Sequence, residues 1–306
     1  MSAPAPAASF RVVAVEDYAA AQPALRAVRE AVFVREQNVP LDLELDAGRD
    51  PQCQHVLAFD AASEPIGTGR LTPDRRIGRM AVLASWRGRG VGEALLAALL
   101  ERAQALGWRE VSLHSQAGAT GFYARHGFLP FGERFFEAGI EHVAMYRLLG
   151  AANPVAGREA ALAALAGILA QARRGLWICS RDLDPGLLDR AEAVAGLRRF
   201  ATGGGQVRVL LHDPAAPQRA LAPLIGLAQR LPTAFEFRAI EETVDQNDPA
   251  AYLVNDRDGW YYRPLGHRFD GETRIDGGPR ARQLRARFEP VWERARPCSE
   301  LRALGI

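Results

Sequence analysis

Arg87–Glu93 reads RGRGVGE, between the short apolar run Arg79–Leu83 (RMAVL) and an alanine- and leucine-rich stretch that continues to Leu106. The order predicts a strand, a turn of the form Arg-x-x-Gly-x-Gly, and a helix. Gly88, Gly90 and Gly92 allow the backbone to approach a ligand without a Cβ in the way. The first N–H groups of the helix have no partners within it and lie at the positive end of its dipole. Such a turn suits an anion, and a pyrophosphate above all.

A second motif comes after the next strand pattern, Glu110–His114 (EVSLH). It is Gly121–Phe128, GFYARHGF, with Tyr123 four residues before Gly127-Phe128. Together the two segments resemble the cofactor-binding core of the GNAT superfamily of N-acetyltransferases, over residues 9–149. The resemblance implies acetyl-CoA as co-substrate. Backbone groups of Met80, Ala81 and Val82 and the loop Arg87, Gly88, Arg89, Gly90, Val91, Gly92 and Glu93 would hold it. Gln116 stands where the family often has a CoA-binding Asn; an ordinary helix-terminal polar residue is the alternative. Tyr123 would sit beside the thioester sulfur, both as a cofactor contact and as the acid that protonates the leaving thiolate. A phenol near pH ~10 matches a thiol of similar basicity. Val82 N–H is the expected oxyanion donor, because the strand splays from its neighbour in this fold.

Ala31–Asp50 (AVFVREQNVPLDLELDAGRD), His55 and Phe136–Met145 (FEAGIEHVAM) are similar to the ElaA-type bacterial branch of GNAT proteins. The branch does not specify an acceptor. The strand Ile77–Val82 has no carboxylate to act as general base. Glu36, Glu137 and His142 are the candidates for that role, directly or through water; for His142 a satisfied surface histidine is the alternative. Asp42, Glu44, Asp46 and Asp50 form an acidic run that could draw in a cationic amine, but reads better as a solvated loop.

Composition sets the frame. With 48% hydrophobic and 24% charged residues, the 306-residue chain has the make-up of a soluble globular protein large enough for two domains. All 38 basic residues are arginine, so Schiff-base and P-loop lysines are excluded. A net charge of +2 shows no excess of a nucleic-acid binder, and nucleic acid is not an expected partner. Cys53, Cys179 and Cys298 are odd in number and lie apart, which fits a reducing cytoplasm. Cys53-x-His55 lacks a second ligand pair at zinc spacing, so no metal site is expected. The longest apolar run, Ala160–Ala170, is too short for a bilayer, which takes about 20 residues. No membrane association is expected. A homodimer is left open.

The fold class predicted is α/β, a GNAT-type mixed central sheet flanked by helices and followed by a second α/β domain. Residues 1–8 read as a disordered tail, 9–149 as the acetyltransferase domain, 150–157 (GAANPVAG) as a linker and 158–306 as an accessory domain. In the first half a helix at Ala19–Arg35 should break near Pro23. Val91, Leu95, Leu99, Ala103 and Leu106 mark the apolar face of the helix after the turn. The second half loosely resembles one half of a phospholipase D-like domain. Lacking Lys, it has no His-x-Lys pair, so the expectation is a non-catalytic relative. Its last helix carries Arg280, Arg282, Arg285, Arg287, Arg294 and Arg296, read as a solvated face.

These features imply an N-acetyltransferase acting on a primary amine, a small molecule foremost, by direct attack on the thioester. The alternatives are a non-catalytic acyl-CoA-binding sensor and a nucleic-acid-associated module working through the last helix.

Overall fold

The computed structural model describes residues 9–44, 48–220 and 222–301. The expected tail, 1–8, and Asp46 of the acidic run lie outside them. The chain divides into two compact units. One holds the residues up to Ala117 together with Gly132–Leu149; the other holds Gly118–Phe131 and everything from Gly150 onward. The second unit resumes at Gly150, but Gly118–Phe131, the segment bearing Tyr123, also groups with it.

The first unit opens with β1 (Phe10–Ala14) and α1 (Tyr18–Arg29). Asp17 caps α1 by accepting from Ala19 N–H and Ala20 N–H. Pro23 does not break this helix, contrary to expectation. The proline costs one hydrogen bond, but Leu25, Val28 and Val32 are buried on one stripe and hold the helix in register. The irregularity comes later, as a π-helical segment over Glu30–Glu36, where Gln37 N–H reaches back to the Val32 carbonyl. After the short α2 (Leu41–Glu44), the strands β2 (Gln54–Asp60), β3 (Pro65–Leu71) and β4 (Arg76–Val82) form an antiparallel meander with β1.

Helix α3 (Val91–Ala105) returns the chain to β5 (Glu110–Gln116), parallel to β4. The short α4 (Thr120–Arg125) then precedes β6 (Leu129–Glu137) and β7 (Ile140–Leu148), giving the sheet order β1-β2-β3-β4-β5-β7-β6. Val91, Leu95, Leu99 and Ala103 are buried as expected, but Leu106 lies past the helix end and is exposed. Close helix–sheet contact depends on Gly67 and Gly69 of β3. A Cβ there would meet the Leu95 and Leu99 side chains at 2.9 and 2.8 Å.

The second unit begins inside the expected linker. Asn153–Val155 form β8, hydrogen-bonded at the sheet edge, so 150–157 is not a free connection. It continues with α5 (Gly157–Gln171), β9 (Gly175–Ser180), α6 (Ala191–Thr202), β10 (Gln206–Leu211), α7 (Ala215–Arg219), α8 (Pro223–Arg230), β11 (Phe235–Ala239) and α9 (Thr243–Gln246). Then come β12 (Ala251–Asn255), β13 (Trp260–Arg263), β14 (Gly271–Arg274), α10 (Pro279–Arg294) and β15 (Arg296–Pro297). The sheet order is β15-β11-β10-β9-β12-β13-β14-β8, with β9, β10 and β11 parallel. Apolar residues on both faces bury these parallel strands. Helix α10 covers the face with Cys179, Leu210, Tyr252 and Val254, using Leu284, Phe288 and Trp292.

The α10 arginines are largely exposed, as expected of a solvated face, but several of them are paired. Arg285 binds the Asn255 carbonyl and Asp258, Arg287 pairs with Asp248, Arg294 with Asp245, and Arg280 lies over the Tyr262 ring. Each charge has a local partner, so no free basic stripe forms from these four. Among the described residues, no helix is long and apolar enough to cross a membrane.

Candidate active site

Strand β4 parts from β5 after two paired positions, Arg76↔Ser112 and Ile77↔Leu113. Its pairing with β3 shifts register between Thr68 and Arg70, opposite Arg79, whose φ of 50° is left-handed. An extra residue in one strand bends it and re-aims the residues beyond the bulge. Leu83 N–H donates to the Ile66 carbonyl on the β3 side at 3.0 Å. Antiparallel alternation therefore turns Val82 N–H the other way, toward the side β5 has left. A donor so placed can face a developing oxyanion.

The chain then turns through Gly88 and Gly90, at φ of 72° and 85°. A non-glycine residue would be strained at either φ. Gly90 caps α3 without a side-chain hydrogen bond, so no side chain at the cap occupies the first-turn N–H groups. Gly92 and Glu93 lie in that first turn. Val91 has its side chain in the core, so it can offer only backbone here. Arg89 lies over the Trp86 ring, 5.2 Å from its centre. Met80 and Val82 are half-buried and Ala81 is buried, where it packs with Val28 and Val32 of the α1–π-helical segment.

Arg87 is engaged within the unit. Its Nε donates to the Val82 carbonyl at 3.0 Å, and both terminal nitrogens grip Glu36 at 2.7 Å. The hydrogen bonds from Arg87 hold Glu36 below the ordinary carboxylate range and outweigh its slight burial. A carboxylate kept ionised by a guanidinium is a poor proton acceptor. That environment disfavours Glu36 as a base.

The next residue, Gln37, lies in the ElaA-like segment but is not among the site residues expected from the sequence. Its Oε1 accepts from Gln116 Nε2 at 2.9 Å, so Gln116 enters the site bound to another side chain. Gln116 lies opposite His142 in the β5–β7 ladder. His142 is buried at 8% exposure, and its ring stacks on Phe135. Its Nδ1 lies 2.8 Å from the Ile140 carbonyl, which can only accept, so Nδ1 carries the proton. Glu137 is exposed and hydrogen-bonded to His114 Nδ1 at 2.7 Å. Arg87–Glu36, Gln37–Gln116 and the facing His142 thus run from the glycine turn to the β5–β7 ladder.

Tyr123 lies on α4, in the other unit, edge-on to Phe122 and Phe128 with centroids at 5.0 and 5.9 Å. Burial pushes its phenol up to about 12, so it is a weaker acid than the value near 10 expected of a free tyrosine.

The acidic run is not a solvated loop. Glu44 and Asp50 are buried, at 2% and 3% exposure. Arg29 pairs with both, Arg70 with Asp50 at 2.6 Å, and Arg79 with Glu44 at 3.0 Å. Asp42 alone of the described members is exposed. Arginines spread through the sequence give this cluster no local signature. Asp50 also meets Cys53 and His55, with ligand-type atoms within 4.8 Å of one another. The donor set does not suit a cation. Both Asp50 oxygens already face guanidinium groups, and His55 Nε2 is engaged with the Asp50 carbonyl at 2.8 Å.

Comparison with known proteins places the halves differently. Residues 25–149 match the acetyltransferase (GNAT) domain family, and residues 157–304 match a domain of unknown function, DUF7931. The uncharacterized N-acetyltransferase YjcF of Bacillus subtilis is 37% identical over 124 residues, covering 39% of this chain and 87% of that protein. Among solved structures, Escherichia coli ElaA is 30% identical, with 45% of this chain and 99% of that one covered and a TM-score of 0.41. An acyl-CoA N-acyltransferase from Pseudomonas aeruginosa is also 30% identical, over 45% and 99%, with a TM-score of 0.42. The extent and identity of the YjcF match agree with the strand, turn and helix that carry the site: the chain belongs to the GNAT acetyltransferase family.

Proposed function

We propose that this protein transfers an acetyl group from acetyl-CoA to a primary amine, a small molecule foremost, by direct attack of the amine on the thioester. The observation that carries the reading is the parting of β4 from β5 after Ile77, followed by the left-handed Gly88 and Gly90 and the uncapped start of α3. In this reading the N–H groups of residues 88–93 take the pyrophosphate. Val82 N–H takes the thioester carbonyl oxygen and stabilises the charge that develops as nitrogen attacks carbon.

The attacking amine must be neutral, and His142 Nε2 is the proposed acceptor of its proton. Tyr123 is proposed, from the family resemblance, to protonate the departing CoA thiolate. A phenol held at about 12 stays protonated through the physiological range, so a proton is available whenever the thiolate leaves. The second unit is read as an accessory domain without phosphodiesterase activity, because no lysine exists to form a His-x-Lys pair.

A panel of primary amines incubated with acetyl-CoA, with free CoA thiol followed, tests the reading. Amine-dependent thiol release from the wild type, lost in Gly90→Val together with CoA affinity, is expected. Tight CoA binding without thiol release for any amine would turn the assignment to an acyl-CoA-binding sensor.

A further inference from the structure

The second unit holds a cavity of about 230 Å³ that the acetyl-transfer reading does not use. It lies where β9, β10 and β11 end, lined by Cys179, Leu210 and the residues just past the strands, His212 and Ile240. The carboxyl edge of parallel strands is where open α/β sheets place their ligands. The favoured spot is beside the point where the chain crosses from one side of the first strand to the other. Here β10 and β11 build outward on one side of β9, and β12 returns on the other, with Tyr252 opposite Cys179.

The charges lining it are balanced. From α10 come Arg287 and Arg294; from α9 and the turn after it come Asp245 and Asp248. Arg294 pairs with Asp245 at 2.7 Å, and Arg287 with Asp248. Burial pushes the Cys179 thiol up to about 12, drives the Tyr252 phenol higher still, and depresses the His212 imidazole. All three are therefore neutral near pH 7, and the cavity carries two positive and two negative charges. Ile240, Val244, Pro290 and Val291 add an apolar wall.

We propose that this cavity binds a free α-amino acid with a short apolar side chain, its carboxylate received by arginine and its ammonium by aspartate. Size restricts the ligand first. The space equals that of about eight liquid waters at roughly 30 Å³ each, and it is smaller than the ~300 Å³ at which pockets for drug-sized ligands begin. A nucleotide or acyl-CoA would have to extend out of the cavity into solvent. Charge restricts it next. A phosphate-type anion must displace an aspartate from its arginine and leave that aspartate unpaired in a half-buried site, which is costly. A simple amine meets the converse penalty. A zwitterion inserts between the members of an ion pair and satisfies both, and charge-assisted hydrogen bonds form at each end. The apolar wall then faces the side chain. The cavity lies wholly within the second unit.

The test uses the full chain, with titration calorimetry and thermal denaturation. The probes are free alanine, valine, leucine, isoleucine and methionine, their N-acetyl and amide derivatives, and inorganic phosphate. At least one free amino acid should bind and raise Tm, with both derivatives at least about tenfold weaker because each lacks one charge. Asp245→Asn should weaken binding to the same extent. Val291→Phe, which keeps the wall apolar and fills the space, should abolish binding with Tm of the unliganded protein retained. The proposal is overturned by absence of binding for all five amino acids, or by phosphate binding in their place. N-acetyl forms that bind as tightly as the free acids would also overturn it. So would affinity that survives Val291→Phe, since the ligand would then sit elsewhere on the chain.

Discussion

Glu36 and Arg87, separated by 51 residues, hold each other through two hydrogen bonds of 2.7 Å, while Arg87 also donates to the Val82 carbonyl. The pair ties the end of the π-helical segment to the start of the glycine turn. A carboxylate clasped by a guanidinium has little tendency to accept a proton, which disfavours Glu36 as a base.

Glu36→Gln should therefore leave kcat within about threefold of the wild type and raise the KM for acetyl-CoA, because the turn loses its anchor and not its chemistry. The pair is nearly half exposed, so the loss of stability should stay below about 1 kcal/mol. Steady-state kinetics with both substrates varied, beside a urea melt, decide this. A collapse of kcat with KM intact would return Glu36 to the role of base.

His142→Gln should lower kcat/KM by about 10²–10⁴-fold, the usual contribution of a positioned base, with CoA affinity preserved. The amide can still donate to the Ile140 carbonyl but has no basic nitrogen. The loss should shrink toward high pH, where the amine is neutral without help. A pH profile of kcat/KM that runs parallel for variant and wild type would exclude His142 as the base.

Tyr123→Phe should retain CoA binding and lose about 10²–10⁴ in kcat. With the phenol at about 12, the alkaline limb of the wild-type profile should not begin below roughly pH 11 on account of this residue. Turnover equal to the wild type would reduce Tyr123 to a packing aromatic between Phe122 and Phe128.

Asp50→Asn should destabilise the first unit by about 3–5 kcal/mol, since Arg29 and Arg70 would remain buried without a full counter-charge. The pH dependence has a definite sign. Burial raises the Asp50 carboxyl, but its hydrogen bonds and charge contacts with Arg70 and Arg29 outweigh this and leave it depressed. Its stabilisation is present above the ordinary carboxylate range and is lost as pH falls through the depressed value. Burial also depresses His55, against a smaller opposing effect from Asp50. Unfolded His55 takes up a proton below about pH 6.5, so stability falls there as well. Calorimetric Tm values between pH 7 and 3 should decrease in two stages, and Asn at position 50 should flatten the lower one.

Asp184 lies in the second unit, where it accepts from Ser180 Oγ at 2.9 Å and pairs with Arg263 at 2.5 Å, both partners buried. It comes directly after Leu183, and both have left-handed φ, 47° for Asp184 and 65° for Leu183. Such strain persists only where its surroundings over-determine it. Asp184→Ala should cost about 3–5 kcal/mol, because the buried Arg263 is left without its counter-charge. A urea melt that matches the wild type would show that Arg263 finds compensation elsewhere.

The strand–turn–helix around Gly88–Gly90 was legible in the sequence because every part of it is local. Apolar alternation marks β4, glycine is needed where φ is positive, and a stripe of Leu and Ala marks α3. What depended on contacts between distant residues could not be read. The acidic run Asp42–Asp50 looks solvated until Arg29, Arg70 and Arg79 are brought to it from three other elements. Asn153–Val155 looks like a linker until β14 supplies the edge to which it pairs. Gln37 lies in the segment similar to the ElaA-type branch, but its partner Gln116 is 79 residues away and is brought to it only by the fold. Periodicity and turn chemistry are properties of a few consecutive residues, and they determined the elements. The partners of charges such as Arg29 and Glu36 depend on where the fold brings together residues 15 to 51 positions apart. Only the tertiary structure decided those.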